Sequence, residues 1–389
     1  MSTPPDPRAQ NEHRSSQSQS ALAGLPVELL HHIVSFVTYM PSLVNLSLTC
    51  SCMLLITDEH LYQTYRYRAG SHGYSSPAAP FRFCSVPSSL IKTLILRPKL
   101  RKLVKELDYE FTWNSRNETR PDDRSSLAPF HQYSDGRSYL HYDDLLQGVR
   151  ARREEAEVAY LLMLAPNIRS VMLEDAGRGL PARLFKILEA GGIPHEARTF
   201  HGFQHLTTLG LFFKPITSKL REVQRTQLHQ ISFSRALLIP ALRNLTLTNI
   251  NFESLFRNSP HPWSCPPHSS PVTSLSVQNV YYAEGYWDRF LRSFAKIVDV
   301  KIWWHHWGGG GDYKKECVDA LWAHKDALEA IDFYSHVRYL LQPEEDAMDD
   351  VHLLQPEEGA MDEVPLKWFA DFEKLKYLRF GNRQCAKLA

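Results

Sequence analysis

Two short stretches in the middle of the chain share one apolar pattern: residues 206–211 are LTTLGL and residues 242–247 are LRNLTL. In each stretch the last two leucines alternate with one small or polar residue, which is the periodicity of a β-strand with one buried face. A further leucine lies three positions before that pair. The pattern L-x-x-L-x-L therefore predicts a strand, and its repetition predicts several such strands in one sheet.

The same triplet of apolar residues recurs along most of the chain. The eight triplets are Val104/Leu107/Tyr109, Ile168/Val171/Leu173, Leu206/Leu209/Leu211, Leu242/Leu245/Leu247, Val272/Leu275/Val277, Ile297/Val300/Ile302, Leu328/Ile331/Phe333 and Leu375/Leu378/Phe380. By subtraction of their first positions they begin between 25 and 64 residues apart, so the period is irregular.

The segments between the triplets have the spacing of amphipathic helices. The predicted helices are 154–164, 181–188, 286–295, 313–323 and 366–375. Alternating strands and helices predict an α/β domain with a parallel sheet over residues 91–389. Because the triplet repeats, we expect an irregular leucine-rich-repeat-like βα solenoid, with a non-repetitive α/β domain as the alternative.

The region before the triplets predicts a small bundle of three helices. Pro26 suits the first position of a helix, and Glu28 follows where the helix dipole favours an anion. Leu29, Ile33 and Val37 then recur at helical spacing. A bundle of about 40 residues is too small for a generous core, so we expect part of its apolar surface to contact a partner.

Composition marks four further segments. Residues 1–22 are polar and rich in Pro, Ser and Gln, which predicts a disordered tail. Residues 68–90 are rich in Gly, Pro and Ser and predict a linker. Residues 110–141 predict a mobile loop, and residues 341–364, with the near-duplicates LQPEEDAMDD and LQPEEGAMDE, predict an acidic solvated loop.

The charge balance and the cysteines limit the classes of function. The chain has 389 residues, with Lys+Arg 44 and Asp+Glu 43, so its net charge of +1 argues against nucleic-acid and membrane partners. Its 6 cysteines form no C-x-x-C pair, and no apolar run approaches the ~20 residues of a membrane span. We therefore expect an intracellular protein, in cytoplasm or nucleus.

The N-terminal block over residues 23–67 resembles an F-box. The family's L-P-x-E-L-x-x-x-I opening and the apolar positions after it are present as Leu25, Pro26, Glu28, Leu29, Ile33, Leu43, Leu46, Leu48, Leu61 and Tyr62. Residues 49–53, TCSCM, depart from the basic and aromatic residues usual there. The later triplets are loosely similar to the degenerate leucine-rich regions of fungal F-box proteins.

The resemblance implies a non-enzymatic receptor without cofactor or metal. F-box proteins are substrate-recognition subunits of SCF ubiquitin ligases: the F-box binds a Skp adaptor, which connects it to cullin and RING subunits, and the C-terminal domain captures a target protein. The residues expected to bind the adaptor are Leu25, Pro26, Leu29, Ile33, Val37 and Leu46. The alternatives are an F-box scaffold outside a ligase, or an α/β enzyme with a helical N-terminal extension.

Aromatic residues follow several of the predicted strands. In stacked βα units these strand exits share one edge, where aromatic side chains can anchor a partner. The residues expected to form this rim for the target are Tyr281, Tyr282, Trp303, Trp304 and Trp307. The alternative is that they fill the core, and at two consecutive strand positions one side chain must point each way.

Overall fold

The computed structural model describes residues 24–37, 39–67, 87–111, 142–151, 153–175, 180, 182–192, 203–213, 234–250, 252, 256, 263–280, 285–305, 313–336, 369, 371–380 and 383–384. The predicted tail 1–22 and acidic loop 341–364 lie outside the described residues, as do residues 112–141 of the predicted mobile loop.

The described strands form a single ten-stranded sheet whose spatial order is the order of the chain. The strands are β1 (Thr64–Tyr67), β2 (Glu106–Glu110), β3 (Ser170–Glu174), β4 (Thr208–Phe212), β5 (Asn244–Thr248), β6 (Ser274–Val280), β7 (Asp299–His305), β8 (Ala330–His336), β9 (Tyr377–Phe380) and β10 (Arg383–Gln384). The first nine are parallel, and only the short β10 pairs antiparallel, with β9. The predicted α/β class with a parallel sheet is therefore confirmed.

Each of the eight apolar triplets contributes to a strand, β2 to β9. Their second residues lie side by side across the sheet: Leu107, Val171, Leu209, Leu245, Leu275, Val300, Ile331 and Leu378. These residues are buried, and so are the residues three positions before them. Because side chains alternate along a strand, this common register places every buried column on one face of the sheet.

Six of the nine described helices pack on that face. The helices are α1 (Val27–Ser35), α2 (Met40–Ser47), α3 (Ser51–Gln63), α4 (Pro87–Leu96), α5 (Tyr142–Arg150), α6 (Glu154–Leu164), α7 (Ala182–Gly191), α8 (Trp287–Leu291) and α9 (Tyr313–Leu321). The buried side chains of α4 to α9 share one core with the inward-facing side chains of the strands. No helix among the described residues is long and apolar enough to cross a membrane.

The helix predictions vary in accuracy. The predicted helix 154–164 is α6 with the same bounds, and 181–188 corresponds to α7. The predicted helix 286–295 contains only the five-residue α8, and 313–323 contains α9 and part of a short 3-10 helix. The prediction over 366–375 is wrong for residues 371–375, which form turns.

The first three helices form a small core of their own. Leu30, Val34, Leu43, Met53 and Ile56 make up its buried residues. Helix α3 ends at Gln63 and β1 begins at the next residue, so the three-helix block continues directly into the sheet.

Two hydrogen bonds, together with the packing of Tyr62 on the large core, connect the helical block to the rest of the described chain. The guanidinium of Arg97 donates to Asp58 Oδ2 at 2.8 Å, and the backbone N–H of Lys105 donates to the carbonyl of Gln63 at 2.8 Å.

Three predicted boundaries need correction. Residues 64–67, assigned to the helical block, form β1, in which Tyr65 is buried and stacks on Tyr109. Residues 87–90, assigned to the linker, begin α4. Residues 110 and 111, assigned to the mobile loop, end β2 and enter the core through Phe111. In the last two cases contacts distant in sequence order residues whose local composition favours a loop.

Candidate functional site

Helix α1 carries two apolar stripes. Leu30 and Val34 are buried in the small core of the helical block. Leu29, Ile33 and Phe36 are four and three residues apart, which places them on another side of the helix. Their exposed fractions are 49%, 39% and 70%. The second stripe is therefore apolar surface that the described part of the chain does not bury.

Exposed apolar side chains are concentrated in the helical block. Of the 11 large apolar side chains that are strongly exposed among the described residues, 8 lie between residues 27 and 55. These 8 are Val27, Leu29, Ile33, Phe36, Tyr39, Val44, Leu48 and Leu55. An accumulation of this kind on so small a unit makes the helical block a candidate interaction surface. We refer to these eight residues as the apolar surface of the helical block.

The six residues predicted to bind an adaptor are divided between that surface and the small core. Leu29 and Ile33 belong to the surface. Pro26 is exposed at the start of α1, and its carbonyl accepts the backbone N–H groups of Leu29 and Leu30. The other three predicted residues, which pack partly against the small core, are Leu25, Val37 and Leu46.

Sequence reasoning missed most of the apolar surface. Phe36, Tyr39 and Leu55 are among the exposed residues and were not predicted as contacts. The sequence signal that could have located this surface is that α1 is apolar on two sides. A core of only five buried residues can cover just one of them.

Two histidines lie between α1 and α3. The rings of His31 and His60 are 6.1 Å apart. Burial lowers the pKa of His60, and the nearby charge of His31 lowers it further. Both effects favour the neutral form of the His60 ring.

Of the five residues predicted to form the aromatic rim, the structure describes two, Trp303 and Trp304. Trp304 is only 4% exposed and its ring lies 4.9 Å from that of Phe333, so it belongs to the core. Trp303 alternates with Trp304 along β7 and faces the opposite side of the sheet. Tyr281, Tyr282 and Trp307 lie outside the described residues.

The side of the sheet opposite the helices is a second candidate surface. Its side chains, from positions such as Asp108, Met172 and Thr246, alternate with the buried columns, and none of them belongs to the core of the described residues. We refer to this side of β1 to β9 as the open face. Most of its described side chains are half-buried, and Thr248 Oγ1 and Trp303 Nε1 are buried atoms on this side.

Metal and acid–base chemistry find little support in the described part of the chain. It contains no group of three His, Cys, Asp or Glu side chains that could hold a metal ion. The most conspicuous buried polar pair is Tyr109, whose hydroxyl donates to Glu154 Oε1 at 2.6 Å. Burial raises the pKa of that phenol far above its usual range, and the Glu154 carboxylate raises it further. This neutral phenol links β2 to α6 and is a structural contact.

No protein-family model matches this sequence, and no curated protein sequence matches it. The structural features that bear on function are the apolar surface of the helical block and the open face of the sheet.

Proposed function

We propose that this protein is the substrate-recognition subunit of an SCF-type ubiquitin ligase. In this proposal the helical block is an F-box that binds a Skp adaptor, and the adaptor connects it to cullin and RING subunits inside the cell. The C-terminal α/β domain is an irregular leucine-rich-repeat-like solenoid that binds the target protein. The protein itself is not an enzyme, because other subunits transfer the ubiquitin.

The observation that carries the proposal is the apolar surface of the helical block. Leu29, Ile33 and Phe36 form an apolar stripe that the chain covers only in part, on the helix that carries the F-box-like opening. Burial of such side chains by a partner contributes about 25 cal/mol for each Å² removed from water. An apolar centre of this kind dominates affinity in protein interfaces.

The connection between the two parts supports the same proposal. Helix α3 runs into β1 without an intervening residue, and the Asp58–Arg97 ion pair joins α3 to the segment after α4. A receptor must hold its target at a defined place relative to the adaptor, and a short connection reinforced by contacts favours this.

The order of the strands supports the solenoid. Each strand from β1 to β9 pairs in parallel with the next one in the chain, and the intervening described helices share the core on one side. Repeat proteins stack successive units in this way, each contacting only its neighbours.

The test is co-expression of the full chain with a Skp adaptor, followed by size-exclusion chromatography. We expect a stable one-to-one complex that also retains cullin when cullin and the RING subunit are added. A complex that excludes cullin would favour the scaffold alternative. A folded chain that forms no complex would contradict the proposal, and turnover of a substrate by the chain alone would favour the enzyme alternative.

A further inference from the structure

The contact between α1 and α3 contains a pair of histidines. His31 lies on α1 directly after Leu30 of the small core, and His60 lies on α3 four residues after Ile56 of the same core. Both side chains are half-buried, and the centroids of their rings are 6.1 Å apart. The histidine pair is therefore located at the margin of the small core, where α1 packs against α3.

Neither ring of the histidine pair has a protein partner that would stabilise a bound proton. No hydrogen bond or ion pair joins either ring to another residue of the described chain. A protonated imidazole is stabilised by an acceptor such as a carboxylate or a carbonyl oxygen, because both of its nitrogens are then donors. Here the neighbouring group is a second imidazole, which acquires the same charge at low pH.

The charges around the histidine pair do not favour a proton on both rings. Burial lowers the pKa of His60 and His31 lowers it further, whereas the exposed Glu59 raises it and Lys105 lowers it. The other charged side chains of α1, α3 and the 3-10 helix Pro98–Leu103 beside α3 are Glu28, His32, Asp58, Lys99, Arg101 and Lys102. Asp58 already pairs with Arg97, and α2 carries no charged residue.

We propose that the histidine pair makes the packing of α1 on α3 sensitive to protons, so that acidification loosens the helical block and weakens its binding to the adaptor. The adaptor part of this inference rests on the proposed function, since it assigns a regulation to the same surface. His31 is two residues away from both Leu29 and Ile33 on α1. A displacement of α1 from α3 therefore moves the stripe that the adaptor contacts.

The direction of the effect follows from proton linkage. In the packed form the pKa of His60 is lowered, whereas displacement of α1 exposes both rings, which then bind protons with an ordinary pKa of about 6.5. The displaced form binds more protons below about pH 6.5, so its share rises as the pH falls. Two unit charges 6.1 Å apart repel, even in a water-like medium, by an amount equivalent to about threefold in an equilibrium constant. A partner that binds only the packed form loses affinity in proportion to the share of that form.

The first test needs no adaptor and uses amide hydrogen exchange of the purified full chain at pH 7.5 and 5.5. The wild type is compared with His60→Gln at each pH, so that the intrinsic pH dependence of exchange cancels. Glutamine is uncharged at both pH values. We expect the exchange rate of α1 amides in the wild type, relative to that in His60→Gln, to be about threefold higher at pH 5.5 than at pH 7.5.

The second variant is His31→Gln, which removes the like charge beside His60. We expect an NMR titration of the histidine ring protons to give a higher pKa for His60 in this variant than in the wild type, a change that a purely structural role would not produce. The matched control is His205→Gln, because His205 is an exposed histidine before β4, outside the helical block. It should retain the pH dependence and the His60 pKa of the wild type.

Titration with a Skp adaptor at the two pH values completes the test. From pH 7.5 to 5.5 the Kd of the wild type should rise about threefold more than that of His60→Gln.

The outcomes separate this inference from the proposed function. A chain that binds no adaptor at pH 7.5 would refute the proposed function, and the exchange experiment would still decide whether the histidine pair controls the packing of α1. Equal pH dependence of exchange in wild type and His60→Gln, or an unchanged His60 pKa in His31→Gln, would overturn the inference. A pH dependence that persists in His60→Gln and disappears in His32→Gln would also overturn it, because the ring of His32 lies 4.7 Å from that of Phe36 on the apolar surface.

Discussion

The double substitution Leu29→Asp with Ile33→Lys should weaken adaptor binding about a hundredfold without unfolding the helical block. Both side chains lie on the exposed stripe of α1, so neither substitution places a charge in the small core. Leu29 is the third residue of α1, where an anion is favoured by the helix dipole, and Ile33 lies in its last turn, where a cation is favoured. The two new charges are four residues apart and attract each other.

The magnitude follows from the exposed fractions. Burying a whole Leu or Ile side chain contributes about 1.5–3 kcal/mol. With Leu29 49% and Ile33 39% exposed, a partner could still gain about 1 kcal/mol from each. Placing two charges in the same interface adds a desolvation cost of at least about 1 kcal/mol. The sum of about 3 kcal/mol corresponds to a rise in Kd of about a hundredfold.

The assay is isothermal titration of the purified chain with a Skp adaptor, accompanied by thermal unfolding of each variant. The matched control is Leu96→Asp, because Leu96 is also an exposed leucine but lies on α4, outside the helical block. We expect an unchanged Kd for Leu96→Asp. The double variant should unfold at the wild-type temperature or slightly above it, because its charges favour the helix.

A double variant that folds normally and binds the adaptor as tightly as wild type would refute the reasoning. The apolar surface would then have another role. A double variant that loses adaptor binding and also unfolds at a much lower temperature would refute the claim that this stripe is free of structural contacts.

Three further predictions concern stability. Arg97→Ala removes the guanidinium that pairs with Asp58, whose side chain is only 9% exposed. We expect the free energy of unfolding to fall by about 1–3 kcal/mol, and an unchanged urea midpoint would contradict this. Leu209→Ala, at a buried position of β4, should lower the free energy of unfolding by about 2–5 kcal/mol. A smaller decrease in the same urea titration would mean that the side chains around Leu209 are loosely packed. Burial lowers the pKa of His324, whose Nε2 bonds the carbonyl of Leu291, below its usual 6.5. The unfolded chain then binds a proton that the folded chain does not, so stability should fall as pH drops below about 6.5. Between about pH 7.5 and 5.5, the melting temperature of His324→Gln should fall less than that of the wild type. An equal fall in both proteins would show that His324 does not cause the loss of stability.

The strands were predictable because their signal is local. In a triplet such as Leu206/Leu209/Leu211, the alternation of apolar residues with small or polar residues predicts both the strand and which of its faces is buried. Strand β1 escaped prediction because its sequence, TYRY, lacks the triplet, although Tyr65 is a core residue that stacks on Tyr109. That contact joins residues far apart in the chain.

The candidate sites were predictable only in part. The F-box-like opening located the helical block, but two apolar stripes on α1 are equivalent in sequence, and only packing distinguishes Leu30 from Leu29. The pair Trp303 and Trp304 poses the same problem on a strand. Strand alternation requires that one of them be buried, and the register of β7 in the sheet decides that it is Trp304.

By itself, the sequence determined the α/β class, the positions of eight strands and the location of the helical block, because periodicity and composition act over a few residues. Only the tertiary structure decided which apolar side chains stay exposed and which outward-facing residues become neighbours. Asp108, Met172 and Gly210 are separated by 64 and 38 residues, by subtraction, yet they lie on adjacent strands. The repeated triplets indicate that these positions are equivalent, but only the pairing of the strands in the sheet makes them neighbours.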